Sequence, residues 1–179
     1  VIPVSSAVAD GNQLNDSASA GRYYDTYVNS YYPNTPTWDQ AALYVGDFSA
    51  AYKTDARILL WFHLPTLPQY AVIDSATFSL QSYSWQGTDT INTQVFRITG
   101  SWSQTSTSPT WNNHPPVDWG TIWSSLNLPK ATGSRSWNIT ELTRAWYSGT
   151  PNYGLVIRAN PQGANGVVFR SHESGMDVP

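Results

Sequence analysis

Apolar side chains in this sequence recur at every second residue over short stretches, and each stretch ends near a turn dipeptide. Ile58, Leu60, Phe62 and Leu64 alternate with Arg57, Leu59, Trp61 and His63. Successive side chains of an extended chain point to opposite faces, so this spacing predicts a strand with one apolar and one mixed face. Ala76, Phe78 and Leu80 alternate with Thr77, Ser79 and Gln81. Leu155, Ile157 and Ala159 alternate with Val156, Arg158 and Asn160, and Val167 to Arg170 adds a further apolar run. Between the runs lie Leu67-Pro68, Gln86-Gly87, Asn160-Pro161 and Asn165-Gly166. The last is a strong hairpin dipeptide, because both residues tolerate positive φ. Many short strands with frequent turns specify an all-β sandwich or barrel.

One segment has a different period. Leu142, Ala145 and Trp146 follow helical spacing, Asn138 and Glu141 resemble a capping box, and Gly149 offers a stop. This predicts one short helical turn near residues 139–148, packed over an end of the sheet. The first fifty residues, rich in Asn, Asp, Ser, Tyr and Pro, read as loop, with Tyr23-Tyr24 and Tyr31-Tyr32-Pro33 inside it. With no internal repeat and no linker, residues 1–179 are expected to form a single domain.

Composition narrows the function. Aromatic residues reach 14% and charged residues only 12%, so the resource in surplus is planar rings. Nine Lys plus Arg in a chain of net charge −3 supply no clustered basic face, which argues against nucleic acid as a partner. The absence of cysteine rules out disulfides and thiolate metal sites, leaving core burial, helped at most by an oxygen-ligated metal. No stretch approaches the roughly 18 apolar residues of a membrane helix, so no membrane insertion is expected. Plentiful Ser, Thr, Asn and Tyr with scarce Lys predict an extracellular setting, secreted or at a cell surface.

Three stretches taken together carry a resemblance. Leu43-Tyr44-Val45-Gly46 precedes Arg57-Ile58-Leu59-Leu60-Trp61-Phe62, Leu67-Pro68 and Ile73-Asp74-Ser75-Ala76. Val95-Phe96-Arg97-Ile98-Thr99 leads to Ser101-Trp102-Ser103 and Thr110-Trp111-Asn112-Asn113-His114-Pro115. Asn138-Ile139-Thr140-Glu141-Leu142, Ala145-Trp146, Gly149 to Leu155 and Phe169-Arg170-Ser171-His172-Glu173 close the series. In this order and spacing, over about residues 43–173, they resemble the DNRLRE domain family, which is related to carbohydrate-binding module family 96. The resemblance implies a jelly-roll-type β-sandwich of secreted and cell-surface proteins that binds or assembles and does not catalyse. It also implies that Arg57 is a positioned salt-bridge or hydrogen-bonding residue and not a ligand contact. In that family the Ser-x-Glu segment is usually followed by Pro and a closing hydrophobic strand, whereas this chain ends at Asp177-Val178-Pro179. The expectation is a missing C-terminal strand and an open sheet edge, to be filled by the apolar start Val1 to Val4 of the same chain or of a neighbour, unless the sequence is simply cut short.

A carbohydrate site needs flat rings to stack on sugar faces and polar groups to bond hydroxyls. The ring candidates are Tyr31, Tyr32, Trp38, Trp85, Trp119 and Trp123, all read as loop residues, against the plainer reading that surface rings pack on their own loops. Arg97 and Arg170 are the cations most open to a binding role, and a neutral glycan suits so few cations at least as well as an acidic one. Trp102, Trp111, Trp137 and Trp146 read as core. Asp10, Asn12 and Asp16 form an oxygen-rich stretch suited to structural Ca²⁺, or simply an Asx-rich turn.

No nucleophile elbow, H-E-x-x-H helix, P-loop or Rossmann turn is present. The leading expectation is therefore a non-catalytic carbohydrate-binding or cell-surface adhesion module. The alternative is a subunit of an extracellular filament that self-associates by strand donation through the open edge. A remoter reading is a jelly-roll polysaccharide lyase using His, Tyr and Arg.

Overall fold

The computed structural model describes residues 23–49, 54–160 and 165–174 in full and the backbone of residues 4–7 and 13–16. The strands are β1 (Val4–Ala7), β2 (Gln13–Asp16), β3 (Tyr23–Asn29), β4 (Ala42–Gly46), β5 (Ala56–Phe62), β6 (Ala76–Gln86), β7 (Ile91–Ile98), β8 (Val117–Asp118), β9 (Ser124–Leu128), β10 (Gly133–Asn138), β11 (Leu155–Ala159) and β12 (Gly166–Arg170). A helix, α1 (Thr140–Tyr147), precedes β11, and a 3₁₀ turn spans His172–Ser174. All the strands pair antiparallel in one strongly curled sheet with the shape of a half-barrel.

The curl follows from how two groups of strands are joined. β6 pairs along Thr77–Ser82 with β10 and along Ser82–Gln86 with β12, which in turn pairs with β4. β5 pairs with β3 on one side and β11 on the other, and β11 with β7. β4 meets β5 at a single register pair, Gly46 and Ala56. Gly46 has φ +110°, and a Cβ there would lie 2.5 Å from the Asn165 carbonyl oxygen, so the corner is built around a residue with no side chain.

The period-2 pattern is realised as expected. Ile58, Leu60 and Phe62 of β5, Leu155, Ile157 and Ala159 of β11 and Val95 of β7 face Leu43, Val45, Phe78, Leu80, Val167 and Phe169 across one core. Trp137 of β10 is wholly buried there, stacked on Phe78 with ring centroids 4.9 Å apart, and its indole N–H donates to Thr93 Oγ1 at 3.1 Å. Burial of its large apolar ring is thus achieved without an unsatisfied donor. Leu142 and Trp146 of α1 pack onto the same core, the Trp146 ring 5.7 Å edge-on from Phe62.

The opposite face of β5, β11 and β7 is apolar in part as well. Leu59, Val156 and Ile98, with Val28 of β3, form a second buried cluster roofed by Trp102, Trp111, Val117 and Tyr153. The segment between β7 and β8 therefore covers the outside of the sheet.

Three local expectations need correction, and one choice between two alternatives is decided. Asn165-Gly166 makes no hairpin, since β11 and β12 pair with different partners; Asn165 Oδ1 instead accepts from the Thr88 and Asp89 amides at 2.9 and 3.1 Å. Tyr23 and Tyr24 lie in strand β3, not in a loop, and Trp85 lies in β6. Ile139 is the N-cap of the helix and no side chain caps it, because the Glu141 carboxylate accepts from Arg144 while Asn138 Oδ1 accepts from the Thr140 amide at 3.0 Å. Val4–Ala7 pairs with β2 and β6 of its own chain; residues 1–3 lie outside the described residues.

Candidate functional site

The outer face of β5 and β11 places two arginines directly opposite one another. Arg57 and Arg158 are register partners, each at an outward position between core-facing isoleucine and alanine neighbours. Like charges facing each other across an antiparallel pair are destabilising, so such a pair calls for anions nearby. Arg57 has one: its Nε and Nη2 donate to Asp55 Oδ2 at 3.0 and 2.6 Å, the ion pair the family resemblance implied. Its guanidinium also lies 4.3 Å from the Trp111 ring centre and 4.8 Å from that of Trp119. Arg158 has none. Among the described residues no carboxylate is within ion-pair distance, and its Nε is buried without a hydrogen-bond partner.

Trp119 lines the open side of this pair. The tight turn Asp118–Gly120, held by the Gly120 amide on Asp118 Oδ1 at 3.1 Å, brings the indole edge-on to Phe96 of β7 at 5.0 Å and to within 5.8 Å of Arg158. It stays 38% exposed. Two guanidiniums, one carboxylate and an accessible indole form a face that can receive a carboxylate on Arg158 while a flat ring lies against Trp119.

The sequence-derived candidates divide. Trp119 belongs to this face. Arg97 does not, because it follows the alternation of Val95 toward the opposite side of β7 and lies 3.8 Å from Asp118 at the rim. Trp123 is half-buried against the main core. Tyr31 and Tyr32 are exposed, meet edge to face at 4.6 Å, and line a cavity of about 290 Å³ with Asn29, Phe48, Ser49 and Thr54. Their loop is tied to the Trp111 loop by the Asn112 amide on the Pro33 carbonyl and to Asp55 by Ser30. Trp38 and Trp85 are exposed at other places on the surface. Arg170 lies 4.9 Å from the Tyr83 ring. Asp10 and Asn12 lie outside the described residues, and Asp16 is described by its backbone alone.

Sequence reasoning passed over Arg158 and set Arg57 aside. The available signal was a cation in an outward slot of an otherwise apolar alternating run, seen twice.

A second polar group lies at the edge strand β3. Asp25 is buried; its Oδ1 contacts His172 Nδ1, and its Oδ2 accepts from the His172 amide at 2.9 Å. His172 Nε2 lies 3.0 Å from Glu173 Oε1. Gln104 joins in, accepting from the Asp25 amide at 3.1 Å and donating to Glu173 Oε1 at 2.8 Å and to the Trp38 carbonyl. Burial disfavours the charged imidazole, but the hydrogen bond and charge of Asp25, with the Glu173 charge behind them, prevail and raise the His172 pKa above its ordinary 6.5. Burial, then the Asp25 charge, push the Glu173 carboxyl up. One donor atom from each of these residues lies within 4.8 Å of the others, yet the ring already has a carboxylate at each nitrogen, an ion triad and not an open metal cradle.

Comparison with known proteins adds the following. The model of carbohydrate-binding module family 96 matches residues 18–179. The tRNA3(Ser)-specific nuclease WapA of Bacillus spizizenii is 26% identical over 164 residues, covering 84% of this chain. The tRNA nuclease WapA of Bacillus subtilis (strain 168) is 26% identical over the same length. In both cases this chain spans only 7% of the relative. No helix among the described residues is long and apolar enough to cross a membrane.

Proposed function

The chain belongs to carbohydrate-binding module family 96, and from that membership and the outer arginine face we propose that it is a non-catalytic module binding an acidic polysaccharide. The observation that carries the choice of an acidic ligand is Arg158, a cation opposite a second cation, with a buried donor left unpaired. A uronate carboxylate at the Arg158 guanidinium offsets the like-charge opposition, while the sugar ring lies on Trp119. Neutral glycans supply no such charge, which favours the acidic class over the neutral one. Tyr31 and Tyr32, whose loop is bonded to the Trp111 loop, extend the same surface for further sugar units.

The facing of β4, β12, β6 and β10 against β3, β5, β11 and β7 supports a jelly-roll-type reading of the curled sheet. Membership of the carbohydrate-binding family supports an extracellular setting for this domain. Membership of a carbohydrate-binding module family weighs against the lyase reading. The pairing of β1 with β6 of the same chain favours a self-contained module over a strand-donating subunit.

The test is affinity electrophoresis of the purified domain through gels containing polygalacturonate or, in parallel, a neutral glucan. Retardation by the polyuronate alone is expected. Equal migration in both gels and a ligand-free control would overturn the proposal.

A further inference from the structure

We propose that His172 is a protonation-operated clamp: as an imidazolium it bridges Asp25 of β3 and Glu173 of its own turn, and so fastens the C-terminal turn to the edge of the sheet. The geometry carries this. Each ring nitrogen has a carboxylate oxygen as its neighbour, Asp25 Oδ1 at Nδ1 and Glu173 Oε1 at Nε2. A carboxylate at ion-pair distance from each ring nitrogen stabilises the ring that carries a proton on both. A neutral ring would turn a lone pair toward one of the two anions.

The clamp holds several segments at once. The His172 amide donates to Asp25 Oδ2, the Ser171 hydroxyl donates to the Gln40 carbonyl at 2.6 Å, and Gln104 links Asp25, Glu173 and the Trp38 carbonyl. Gln104 also satisfies the Asp25 amide on the outward edge of β3, so the clamp covers an edge that would otherwise offer a free donor there. Asp25 and Tyr23 face the ring from β3, the Tyr23 ring edge-on at 4.7 Å, and Glu173 faces it from its own turn. Among the described residues, the segments at Gln104 and Trp38 contribute only neutral groups.

The sign follows from charge. The folded state holds the imidazole proton more tightly than the unfolded chain does, so this stabilisation is complete below the unfolded pKa and is lost as pH rises through the higher folded one. Mildly alkaline solution therefore loosens the hold on the turn, and mildly acidic solution keeps it until the carboxylates themselves take up protons.

Nitrogen-15 spectra of the imidazoles in the intact domain test this, with His172 assigned by its loss in His172→Gln. The expected result is an imidazolium with both nitrogens protonated that persists above the ordinary 6.5 of a histidine. Amide protection factors of Asp25 and His172, corrected for intrinsic exchange, are expected to fall at least about tenfold between about pH 6 and pH 9, the weight of one charge-assisted hydrogen bond, and to stay level in His172→Gln. A neutral ring at about pH 6, or an equal fall in protection in the variant, would overturn the clamp. So would a Zn²⁺-dependent rise in melting temperature that His172→Gln abolishes, since the three side chains would then be metal ligands. The spectrum of the unmodified domain decides the question by itself even if the variant folds poorly.

Discussion

Replacing Arg158 by leucine should make the free domain more stable while weakening its hold on acidic glycan. In the ligand-free protein Arg158 faces Arg57 across the β5–β11 pair and keeps a buried Nε without a partner. Like-charge opposition across strands is worth about 0.2–1 kcal/mol and a buried unpaired donor about 1–3 kcal/mol. Loss of the arginine stem from the Trp119 side offsets part of this, so a net gain of about 1 kcal/mol is expected. For a chain of this length that raises the melting temperature by about 2–4 °C. Against polygalacturonate the same change removes a hydrogen bond to a charged group, worth about 1.5–3 kcal/mol, or about 10- to 150-fold in Kd. Differential scanning calorimetry and isothermal titration calorimetry on the two proteins measure both quantities. Arg158→Lys separates charge from geometry: it keeps the cation but not the planar fork, and should recover only part of the affinity. A melting temperature that falls together with unchanged affinity would refute the reasoning, because Arg158 would then be a structural residue whose partner is internal.

Other residues are expected to respond as follows. Trp119→Ala, at a ring 38% exposed, should leave the melting temperature within about 2 °C while costing about 5- to 150-fold in polyuronate affinity, about 1–3 kcal/mol of ring contact; loss of stability without loss of binding would argue against the site. Trp111→Ala uncovers the cluster of Leu59, Val156, Ile98 and Val28 and should destabilise by about 2–4 kcal/mol in urea unfolding, an effect that a merely exposed ring would not produce. Gly154→Ala should lower stability by more than about 3 kcal/mol, because φ is +91° and the new Cβ would lie 2.0 Å from the Leu60 carbonyl oxygen; near-native urea unfolding would contradict that approach of the backbones. Tyr27, whose phenol burial pushes up to about 12, should titrate late in an ultraviolet difference spectrum. Its folded pKa is raised, so the associated stability is complete below the ordinary 10.0 and is lost toward about 12; an unshifted Tyr27 would place that ring outside the interior.

How far these features were legible in the sequence depends on whether they are local. The alternation of Ile58, Leu60 and Phe62 needs only the pleat, and it located β5 and its buried face. β3 escaped notice because Asp25 and Thr26, polar residues inside a Tyr and Val strand, are both buried in the fold and interrupt the pattern that apolar counting relies on. Asn165-Gly166 misled for a related reason. A turn dipeptide reports what the backbone tolerates, and here neither residue takes up a positive φ; glycine is needed instead because Phe48 packs so closely on Gly166 that a Cβ would lie 2.4 Å from its ring.

The outer face required information that no window of sequence contains. Leu59 and Val156 make β5 and β11 apolar on both faces, which indicates a strand buried twice over, yet the cover is supplied by Trp102 and Trp111 some forty residues or more away along the chain from Leu59. Whether two arginines a hundred residues apart meet depends on strand register, and a slip of one residue would turn either side chain into the core. The loop that roofs the second cluster also brings Trp111 onto the Arg57 guanidinium. The same packing that buries Leu59 thereby holds one cation in place with its carboxylate, and leaves its neighbour Arg158 as the group with bonding capacity to spare.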